Sequence, residues 1–567
     1  MIHIYGETLN TYIIFRRGPK ELKFYEKISL YFMWLKMDPR EAVIAEIINE
    51  LRKHEYLDKD LLSRIKIEVA RRLKVHYVPK DHEIISRLDP EIRKKIRILS
   101  KPIRSLSGIV VISVFTQPSP CPGQCIYCPG GTDGPTPSPK SYSGHEPAAR
   151  RAAELNYDPY LQIVHRVRQL ERLGHPTDKI SLIVMGGTFI ALPKEYRDEF
   201  MKGVYEGILG CRYPNASLDS LKKMLETAPR RLVELTFETR PDFCFEEHVD
   251  EFLYYGATRI EIGIQSLSDD VLRFIRRGHD VECVRKAFRI AKDAGFKIVA
   301  HMMPNLPPDP NPERDFNDFL TLFEDPDFRP DMIKIYPTAV VKGTKLYDMW
   351  LHDEYEPYPE EDLIRLLARI KKLLPPWVRI QRLQRDIPTY LVEAGYSSGN
   401  LREVVKDYMA KYGWYCRCIR CREIGHKMLK DGYRPNLEQV KLIKRKYVAS
   451  GGIEIFLSYE DLKNDVVVGI LRLRMPSENP HRPEIDYNTA IVRELHVYGS
   501  LVPLGERRPE SAQHRGFGSS LLREAELIAA EEYDAKKIVI ISGIGVREYY
   551  RRFGYRLEGP YMAKNLN

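Results

Sequence analysis

The chain has no apolar run long enough to cross a membrane. The best candidate, residues 28–35, is far shorter than the ~20 residues that a membrane-spanning helix needs. Cysteine is also scarce, with nine in 567 residues, and six of these fall into two clusters at 121–128 and 416–421. A secreted disulfide framework spreads its cysteines, so the clusters indicate a reducing interior with two metal sites. These absences predict a soluble, cytoplasmic protein with no membrane partner.

The first 36 residues read as neither a domain nor a signal peptide. Met37-Asp38-Pro39-Arg40 looks like a natural start, because proline is favoured in the first turn of a helix. We expect translation to begin at Met37, with residues 1–36 a non-native extension. An intact-mass measurement that retains residues 1–36 would contradict this.

The net charge of +10 is concentrated in two segments. Residues 51–110 hold 16 Lys or Arg against 8 Asp or Glu, and residues 401–450 hold 13 against 5, so the rest of the chain is net acidic. Concentrated positive charge is the electrostatic footprint of a polyanion-binding protein, because each phosphate contact releases condensed counterions. Solvated helix faces are the alternative explanation.

Hydrophobic periodicity divides the chain into regions. Apolar residues at helical spacing between 38 and 77 predict a small basic helical region over 37–100 that serves docking. Six β-branched runs separated by helical stretches then predict an α/β fold, a partial parallel (β/α) barrel over 101–388. The strands are expected at Gly108–Phe115, Ile180–Met185, Val233–Thr239, Arg259–Gln265, Lys297–Met303 and Met332–Pro337, with Val378–Gln384 as an extension.

A basic linker over 389–446 and a second α/β domain over 447–567 are expected to follow. The second domain should have strands at 451–459, 466–474 and 490–498, and a helix at 519–532. Its own glycine-rich loop, at 513–518, indicates a separate ligand site.

The first cysteine cluster is the most informative motif. Cys121, Cys125 and Cys128 stand at C-x3-C-x2-C spacing in a loop rich in glycine and proline, directly after the first predicted strand. Closed iron–sulfur and structural zinc sites use four ligands, so three thiolates leave one coordination position open. A zinc knuckle completed by a distant histidine is the alternative. In a parallel barrel this loop would lie at the C-terminal mouth, where active sites form.

The second cluster, Cys416, Cys418 and Cys421, suits a structural zinc site that holds a loop in place. His426 is the nearest candidate for the fourth ligand, against a more distant residue. A second iron–sulfur cluster is the other possibility.

Polar and glycine residues end the later strands of the predicted barrel. Gly186-Gly187 closes the second strand and exposes backbone groups that can hold an amino-acid moiety, although such a pair is usually only a turn. Glu238, Arg240 and Gln265 end the next two strands. Buried charges are costly without partners, so these side chains either face a polar ligand or pair with one another.

In the second domain, Gln513, Gly516 and Gly518 open a helix as Q-x-x-G-x-G. Glycines let backbone amides approach a pyrophosphate, and the helix N-terminus favours negative charge. Tyr549 and Tyr550 follow the last strand and are either core aromatics or ligand contacts.

These features together resemble the catalytic subunits of Elongator, which join a radical S-adenosylmethionine (SAM) barrel to a GCN5-related N-acetyltransferase domain. The resemblance runs from about residue 80 to the C-terminus and includes CIYCPGG, VMGGTFIALP, FETRPD, RIEIGIQS, RELHVYGS, QHRGFG and YYRRFGYRLEGPYM. It implies modification of the wobble uridine of tRNA (position 34, in the anticodon stem-loop) towards 5-carboxymethyluridine. SAM and acetyl-CoA would be the co-substrates.

The resemblance also assigns roles to residues. Cys121, Cys125 and Cys128 match the ligands of a [4Fe-4S] cluster whose unique iron binds SAM, and Gly186-Gly187 matches the segment that receives the SAM amino group. Lys179, Tyr549 and Tyr550 would serve catalysis at the acetyl-CoA. The matching acetyl-CoA contacts are Lys179, Glu494, Leu495, His496, Val497, Gly516, Phe517, Gly518, Ser519 and Tyr550.

The resemblance implies that a SAM-derived radical takes a hydrogen from the methyl group of acetyl-CoA, and that the carbon radical then adds to uridine. A protein lysine acetyltransferase that uses the second domain directly is the main alternative. A noncatalytic tRNA-binding module is the third reading.

Overall fold

The structure is a computed structural model, and it divides the chain into two compact units, residues 1–102 with 172–174 and residues 103–171 with 175–567. The residues that it describes are 38–54, 59–79, 81–85, 87–89, 92, 107–132, 137–499 and 516–566. The expected start at Met37 and the loop residue Gln513 lie outside the described residues. None of the helices in the described ranges has the length and apolar character needed to cross a membrane.

The helices with described bounds in the first unit are α1 (Pro39–Arg52), α2 (Lys59–Arg72) and α3 (Asp81–Ile85). Helix α1 starts at Asp38, whose carboxylate accepts a hydrogen bond from the backbone of Arg40. Apolar residues at helical spacing form the core of this unit, which contains Val43, Ile47, Leu51, Leu62, Ile65, Val69, Ile84, Ile85, Leu88 and Ile92. The helices expected from the periodicity are therefore present, and the docking role stays a prediction.

The second unit contains an open barrel of seven parallel strands in the order β1-β2-β3-β4-β5-β6-β8. The strands are β1 (Val110–Phe115), β2 (Lys179–Met185), β3 (Arg231–Thr239), β4 (Arg259–Gln265), β5 (Lys297–Met302), β6 (Met332–Ile335) and β8 (Arg379–Arg382). Strands β1 and β8 are the two edges of this sheet, so the barrel has a lateral opening between them. The predicted partial parallel barrel is confirmed.

Helices cover the outer face of the barrel. Successive side chains on a strand point to opposite faces, and on β2 the outward residues Ile180, Leu182 and Val184 are fully buried in the main apolar core. The covering helices are α4 (Pro147–Glu154), α5 (Pro159–Arg172), α6 (Lys194–Leu209), α7 (Leu218–Thr227), α8 (Glu246–Tyr254), α10 (Val281–Asp293), α11 (Pro312–Glu324) and α13 (Glu360–Leu373). Helices α9 (Asp269–Phe274) and α12 (Lys345–Leu351) instead pack against Ile126 and Tyr127 of the cysteine loop.

The segment expected to be a linker contains regular structure. Strand β9 (Val392–Ala394) pairs with β7 (Val340–Val341), and three helices follow: α14 (Leu401–Lys411), α15 (Ile419–Arg422) and α16 (Ile424–Asp431). Helix α14 buries Leu401, Val405 and Met409 in the main core. Its apolar stripe at i, i+4 and i+8 explains why it packs instead of remaining extended.

A second sheet of seven strands has the order β10-β11-β12-β13-β14-β16-β15, and only β13 and β14 pair in parallel. Its strands are β10 (Lys441–Ala449), β11 (Gly452–Asp461), β12 (Val466–Met475), β13 (Thr489–Val497), β14 (Lys537–Ile540), β15 (Arg556–Glu558) and β16 (Tyr561–Asn565). Helix α17 (Phe517–Leu527) packs on this sheet and α18 (Arg547–Arg551) follows β14. Sequence reasoning missed β10, because its consecutive charges Lys444, Arg445 and Lys446 were counted as linker charge.

Buried ion pairs join the second sheet to the N-terminal end of the barrel. Arg493 of β13 donates to both carboxylate oxygens of Asp331, at 2.8 and 2.5 Å, and neither side chain is accessible to solvent. Asp331 immediately precedes β6, and Arg472 of β12 approaches the same carboxylate at 3.5 Å. Arg493 also donates to the Phe296 carbonyl, just before β5. The second sheet therefore covers the end of the barrel opposite the cysteine loop.

Candidate active site

One cavity of about 2180 Å³ runs through the second unit. Its wall includes all three cysteines of the first cluster, the barrel interior, and the end of β13 together with the start of α17. Most residues predicted for the two ligand sites therefore share a single cavity, although up to 429 positions separate them in the sequence (Cys121 to Tyr550). The predicted residues in its wall are Cys121, Cys125, Cys128, Lys179, Gly187, Glu238, Arg240, Gln265, Glu494, Leu495, His496, Val497, Gly516, Phe517, Gly518, Ser519, Tyr549 and Tyr550.

Polar donors surround the thiols of the first cysteine cluster. The Arg277 guanidinium lies 3.4 Å from Cys125 Sγ, and backbone amides approach Cys121 and Cys128 at the same distance. Burial acts to raise the pKa of the Cys125 thiol, but the Arg277 charge outweighs it, so the pKa lies below its ordinary value. Burial raises the pKa of Cys128. The loop therefore favours a thiolate at Cys125, the form that ligates metal.

Gly186 and Gly187 lie beside this loop with φ angles of +130° and +96°. A Cβ at Gly186 would meet Thr116 Oγ1 at 2.2 Å, and one at Gly187 would meet Lys140 Cβ at 3.1 Å. Only glycine combines this backbone conformation with such close approach. The pair thus brings bare backbone groups to the mouth of the barrel next to the cysteines.

Glu238 ends β3 inside the barrel mouth. Its two carboxylate oxygens accept from the Tyr142 hydroxyl at 2.9 Å. Burial raises the pKa of Glu238 to about 7, with Lys334 opposing the shift and Glu261 adding to it. The carboxylate therefore changes charge near neutral pH.

Arg240 and Gln265 differ in their pairing. Arg240 forms a two-point ion pair with Asp242, at 2.9 and 2.7 Å, and its remaining Nη1 is buried without a hydrogen-bond partner among the described residues. A Cβ on Gly123 would meet that Nη1 at 2.1 Å, so Arg240 supports the cysteine loop directly. Gln265 has φ +74° and a buried Oε1 that likewise has no described partner.

A second polar layer lies deeper in the barrel. Glu261 of β4 accepts from His301 Nε2 at 2.9 Å and pairs with the Lys334 ammonium. Burial lowers the pKa of His301 to about 4, which keeps the imidazole neutral. Glu238, Glu261 and His301 come within 4.8 Å of one another, yet Lys334 already supplies the positive charge that a cation would bring.

A third polar layer lies at the N-terminal end of the barrel. Glu234 accepts from Arg259 at 2.6 Å and from Ser181 at 2.7 Å, and it lies 3.2 Å from the Lys297 ammonium. Burial acts to raise the pKa of Glu234, but Arg259 and Lys297 hold it down to about 2.

Two cations face the second sheet at this end. Lys179 and Arg231 are opposite each other at the start of β2 and β3, and no carboxylate pairs with either within the described part of the chain. Gly543 and Gly545, which follow β14, pack against the backbone of β3, where a Cβ on Gly543 would meet the Val233 carbonyl at 2.1 Å.

The second ligand site lies where β13 and β14 separate. Their pairing ends at Val492, and Glu494 to Val497 continue towards the start of α17 paired only with β12. Gly516 has φ +88° and caps α17, which places three backbone amides at a helix N-terminus. A Cβ on Gly518 would lie 3.1 Å from the Tyr549 hydroxyl.

The two tyrosines of α18 differ in their surroundings. Tyr550 is buried in the core of the second sheet, with its ring 5.2 Å from that of Tyr549. Both nevertheless line the cavity. The two readings of these tyrosines, core and ligand contact, are therefore compatible.

The second cysteine cluster is compact. The thiols of Cys416, Cys418 and Cys421 lie within 4.8 Å of one another, as a single metal ion requires. His426 does not belong to this group: its ring lines the large cavity, and burial lowers its pKa to about 4. The first cluster is more open, because its thiols do not meet the same distance limit among the described residues.

Comparison with known proteins identifies the family. The Radical SAM superfamily matches residues 120–320, the Radical_SAM C-terminal domain matches 330–411, and the ELP3 N-terminal domain matches 40–106. A "tRNA uridine(34) acetyltransferase" of Methanocaldococcus jannaschii is 47% identical over 534 residues, which cover 93% of this chain and 97% of that protein. The chain belongs to the Elongator complex protein 3 family.

Other members agree with this assignment. Elongator complex protein 3 of Homo sapiens is 46% identical over 533 residues, covering 92% of this chain and 96% of the human protein. The solved structure of the archaeal Methanocaldococcus infernus Elp3, with residues 1–46 deleted, matches with a TM-score of 0.72 and 44% identity. It covers 81% of this chain and 100% of that structure's chain.

Sequence reasoning missed several residues of this family member's site. Tyr142, Arg277, His301 and Lys334 were not predicted as site residues. The sequence signal for such residues is the alternation of side chains along a strand. In β4, every second residue (Arg259, Glu261, Gly263 and Gln265) lines the cavity. A strand whose inward positions are this polar encloses a ligand space in place of an apolar core.

Proposed function

We propose that this chain modifies the wobble uridine of tRNA at carbon 5, using SAM and acetyl-CoA to attach a carboxymethyl group. The observation that carries the proposal is the single cavity that reaches both the cysteine loop and the loop at the start of α17. A radical SAM family match and relatives named tRNA uridine(34) acetyltransferase support the same reaction.

The residues at the barrel mouth fit an iron–sulfur cluster with bound SAM. Three thiols on one loop, one of them with a lowered pKa beside Arg277, suit a cluster with an open iron. When bound, such a cluster supplies the electron that cleaves SAM. Gly186-Gly187 would receive the SAM amino group, and the Glu238 carboxylate offers acceptors for its hydroxyls. Arg240 is already paired, so we assign it to holding the cysteine loop.

Acetyl-CoA fits the site between β13, α17 and α18. The amides of Phe517, Gly518 and Ser519 would bind its pyrophosphate, since a helix N-terminus favours an anion. Residues Glu494–Val497 stay paired with β12 but have no β14 partner on the other side, so their free edge would contact the pantetheine amides. Lys179 reaches the same space from the barrel, which would let the coenzyme contact both domains.

The tRNA fits the lateral opening of the barrel. Arg379, Arg402 and Arg420 line the cavity beside β8, and burial, then the charges of Arg402 and Arg379, lower the pKa of Arg420 to about 10. Arginines that lie close together and outnumber the nearby carboxylates can bind the phosphates of a nucleic-acid backbone. A wobble base must leave the anticodon stack to enter, as single-stranded loop recognition and base flipping allow.

The compact second cluster, Cys416, Cys418 and Cys421, would hold zinc with a fourth ligand other than His426. Its thiols lie in and before α15, which packs against β8, so a bound ion would brace this edge of the barrel. Metal analysis of anaerobically purified protein should give one zinc per chain, and Cys418→Ser should remove it. Retention of full zinc content by Cys418→Ser would contradict this assignment.

The deciding experiment is mass spectrometry of tRNA nucleosides after anaerobic incubation with reconstituted protein, SAM, acetyl-CoA and a reductant. We expect 5-carboxymethyluridine to appear only when all components are present. Labelled acetyl-CoA should pass its label to the product. Acetylation of a protein lysine without any nucleoside product would contradict the proposal.

A further inference from the structure

The two ends of the barrel are too far apart for direct contact between their ligands. Along β2, Lys179 lies at the N-terminal end and Met185 at the end next to the cysteine loop. Six residue steps at ~3.3 Å each separate these levels by about 20 Å. The proposed reaction needs the acetyl methyl and the SAM-derived radical to meet, so one reactant must cross the barrel.

The interior of the barrel provides a path. Small parallel barrels are normally filled by layers of branched apolar side chains. Here Ser113, Ser181 and Ile183 line the interior between the two ends, and Ile183 and Met185 remain partly exposed inside it. The lining of the cavity extends past them from the cysteine loop to Ser542 and Gly543, in the loop that follows β14.

The charges in this interior neutralise one another locally. Glu234 pairs with Arg259 and Lys297, and Glu261 pairs with Lys334. Buried ion pairs of this kind stabilise a fold no better than apolar packing does. Apolar packing would fill the space, whereas the paired charges leave the wall polar and the path open.

The wall also offers unused hydrogen-bonding atoms. Glu261 Oε1 and Gln265 Oε1 are buried and have no hydrogen-bond partner in the described parts of the chain. Such atoms are costly unless a ligand satisfies them. Both are acceptors, and a linear chain that carries amide N–H groups would complement them.

We propose that the barrel interior is a binding channel for the acyl-pantetheine arm, which enters from the N-terminal end and carries the acetyl group towards the cysteine loop. The inference rests on the proposed function for its ligand, and it adds the route and the residues that form it. Ser113, Ser181 and Ile183 form the wall of this channel, and Glu261 and Gln265 accept from the arm.

Blocking the channel tests the route. Ile183→Trp places an indole in the interior without removing a hydrogen bond. We expect SAM cleavage to remain and acetyl-CoA to bind more weakly because its arm loses the channel, while carboxymethyluridine falls by about a hundredfold, since a displacement of ~1 Å at the reacting atoms can cost that much. Leu161→Trp is the matched control, because Leu161 is exposed on the outside of the barrel and outside the cavity. Wild-type product formation by Ile183→Trp would overturn the proposal.

Affinity labelling tests the channel without SAM, tRNA or turnover, so it stays informative if the proposed reaction fails. Bromoacetyl-CoA should alkylate Ile183→Cys, and excess acetyl-CoA should suppress this labelling by more than tenfold, as peptide mass spectrometry would report. The exposed native Cys211 serves as internal control, because its labelling should not respond to acetyl-CoA. Labelling of Ile183→Cys that acetyl-CoA does not suppress would overturn the proposal, even in a variant that folds normally.

Discussion

The two ends of the barrel are built in different ways. The C-terminal end is formed by loops, with glycines at positive φ and thiols that contact arginine and backbone amides. The N-terminal end is covered by the second sheet through fully buried ion pairs such as Arg493 with Asp331. One end is therefore open and shaped for ligands, while the other is fixed to a second domain.

The difference explains how one barrel serves two ligand sites. Parallel barrels place their active sites at the C-terminal end, and the opposite end usually contributes only stability. In this molecule the second sheet brings its own ligand loop to that opposite end, and the polar interior connects the two. The following variants test the two ends of the barrel separately.

Cys125→Ala should have the largest effect on function. Loss of one of three thiolates removes a cluster ligand, so anaerobically reconstituted protein should release no detectable 5′-deoxyadenosine from SAM. Acetyl-CoA affinity at the other end should not change. Cys211→Ala is the control, because Cys211 is exposed and lies outside the cavity. Equal SAM cleavage by the two variants would contradict the assignment.

Asp331→Asn should cause the largest loss of stability. It leaves Arg493 and Arg472 buried without this carboxylate, and breaking a buried pair costs about 3–5 kcal/mol. Denaturant unfolding would measure the change. Asp431→Asn is the control, since its pair with Lys427 is about half exposed and is worth at most ~0.5 kcal/mol.

The same variant has a predicted pH dependence. Burial acts to raise the pKa of Asp331, but Arg493 and Arg472 hold it well below its ordinary value of 3.8. A lowered pKa contributes stability that is present above the unfolded value and is lost as the pH falls towards the folded value. The difference in free energy of unfolding between the wild type and Asp331→Asn should therefore shrink below about pH 4. A constant difference between pH 7 and pH 3 would show that the pair is not the cause.

Lys179→Ala should weaken ligand binding only at the N-terminal end of the barrel. A hydrogen bond from a charged donor is worth about 1.5–3 kcal/mol, so the acetyl-CoA Kd should rise by about tenfold to a hundredfold. Isothermal titration would measure it, and SAM cleavage at the other end should persist. Lys194→Ala, on the exposed surface, should leave the Kd unchanged. A Kd for Lys179→Ala equal to that of Lys194→Ala would remove Lys179 from the site.

Arg420→Gln should have the smallest effect. Removing one phosphate contact should weaken tRNA binding several-fold and reduce the slope of log K against log salt by about 1. Binding measured at several salt concentrations would show the change. Arg434→Gln lies outside the cavity and should keep the wild-type slope. An unchanged slope for Arg420→Gln would place the tRNA backbone elsewhere.

Local patterns predicted much of the fold. The strand Arg259–Gln265 was predicted to the residue, and the other barrel strands within two residues at either end, because β-branched runs between glycines and helical segments are a local signal. Strand β10 was missed, since the consecutive charges Lys444, Arg445 and Lys446 look like a linker until a partner strand is known. His426 was expected to complete the second cysteine cluster, because it is near in sequence to thiols that it does not join in space.

The sequence by itself determined the local chemistry: three thiols on one loop, glycines where backbone must approach a neighbour, and a helix that opens on a glycine-rich loop. Spacing and backbone sterics act over a few residues, so these features can be read directly from the order of residues. Only the tertiary structure decided that Cys125 and Phe517 share one cavity, and that the barrel between them is polar and open. Those facts depend on strand register, on the lateral opening and on the Arg493–Asp331 junction, which bring together residues from distant parts of the chain.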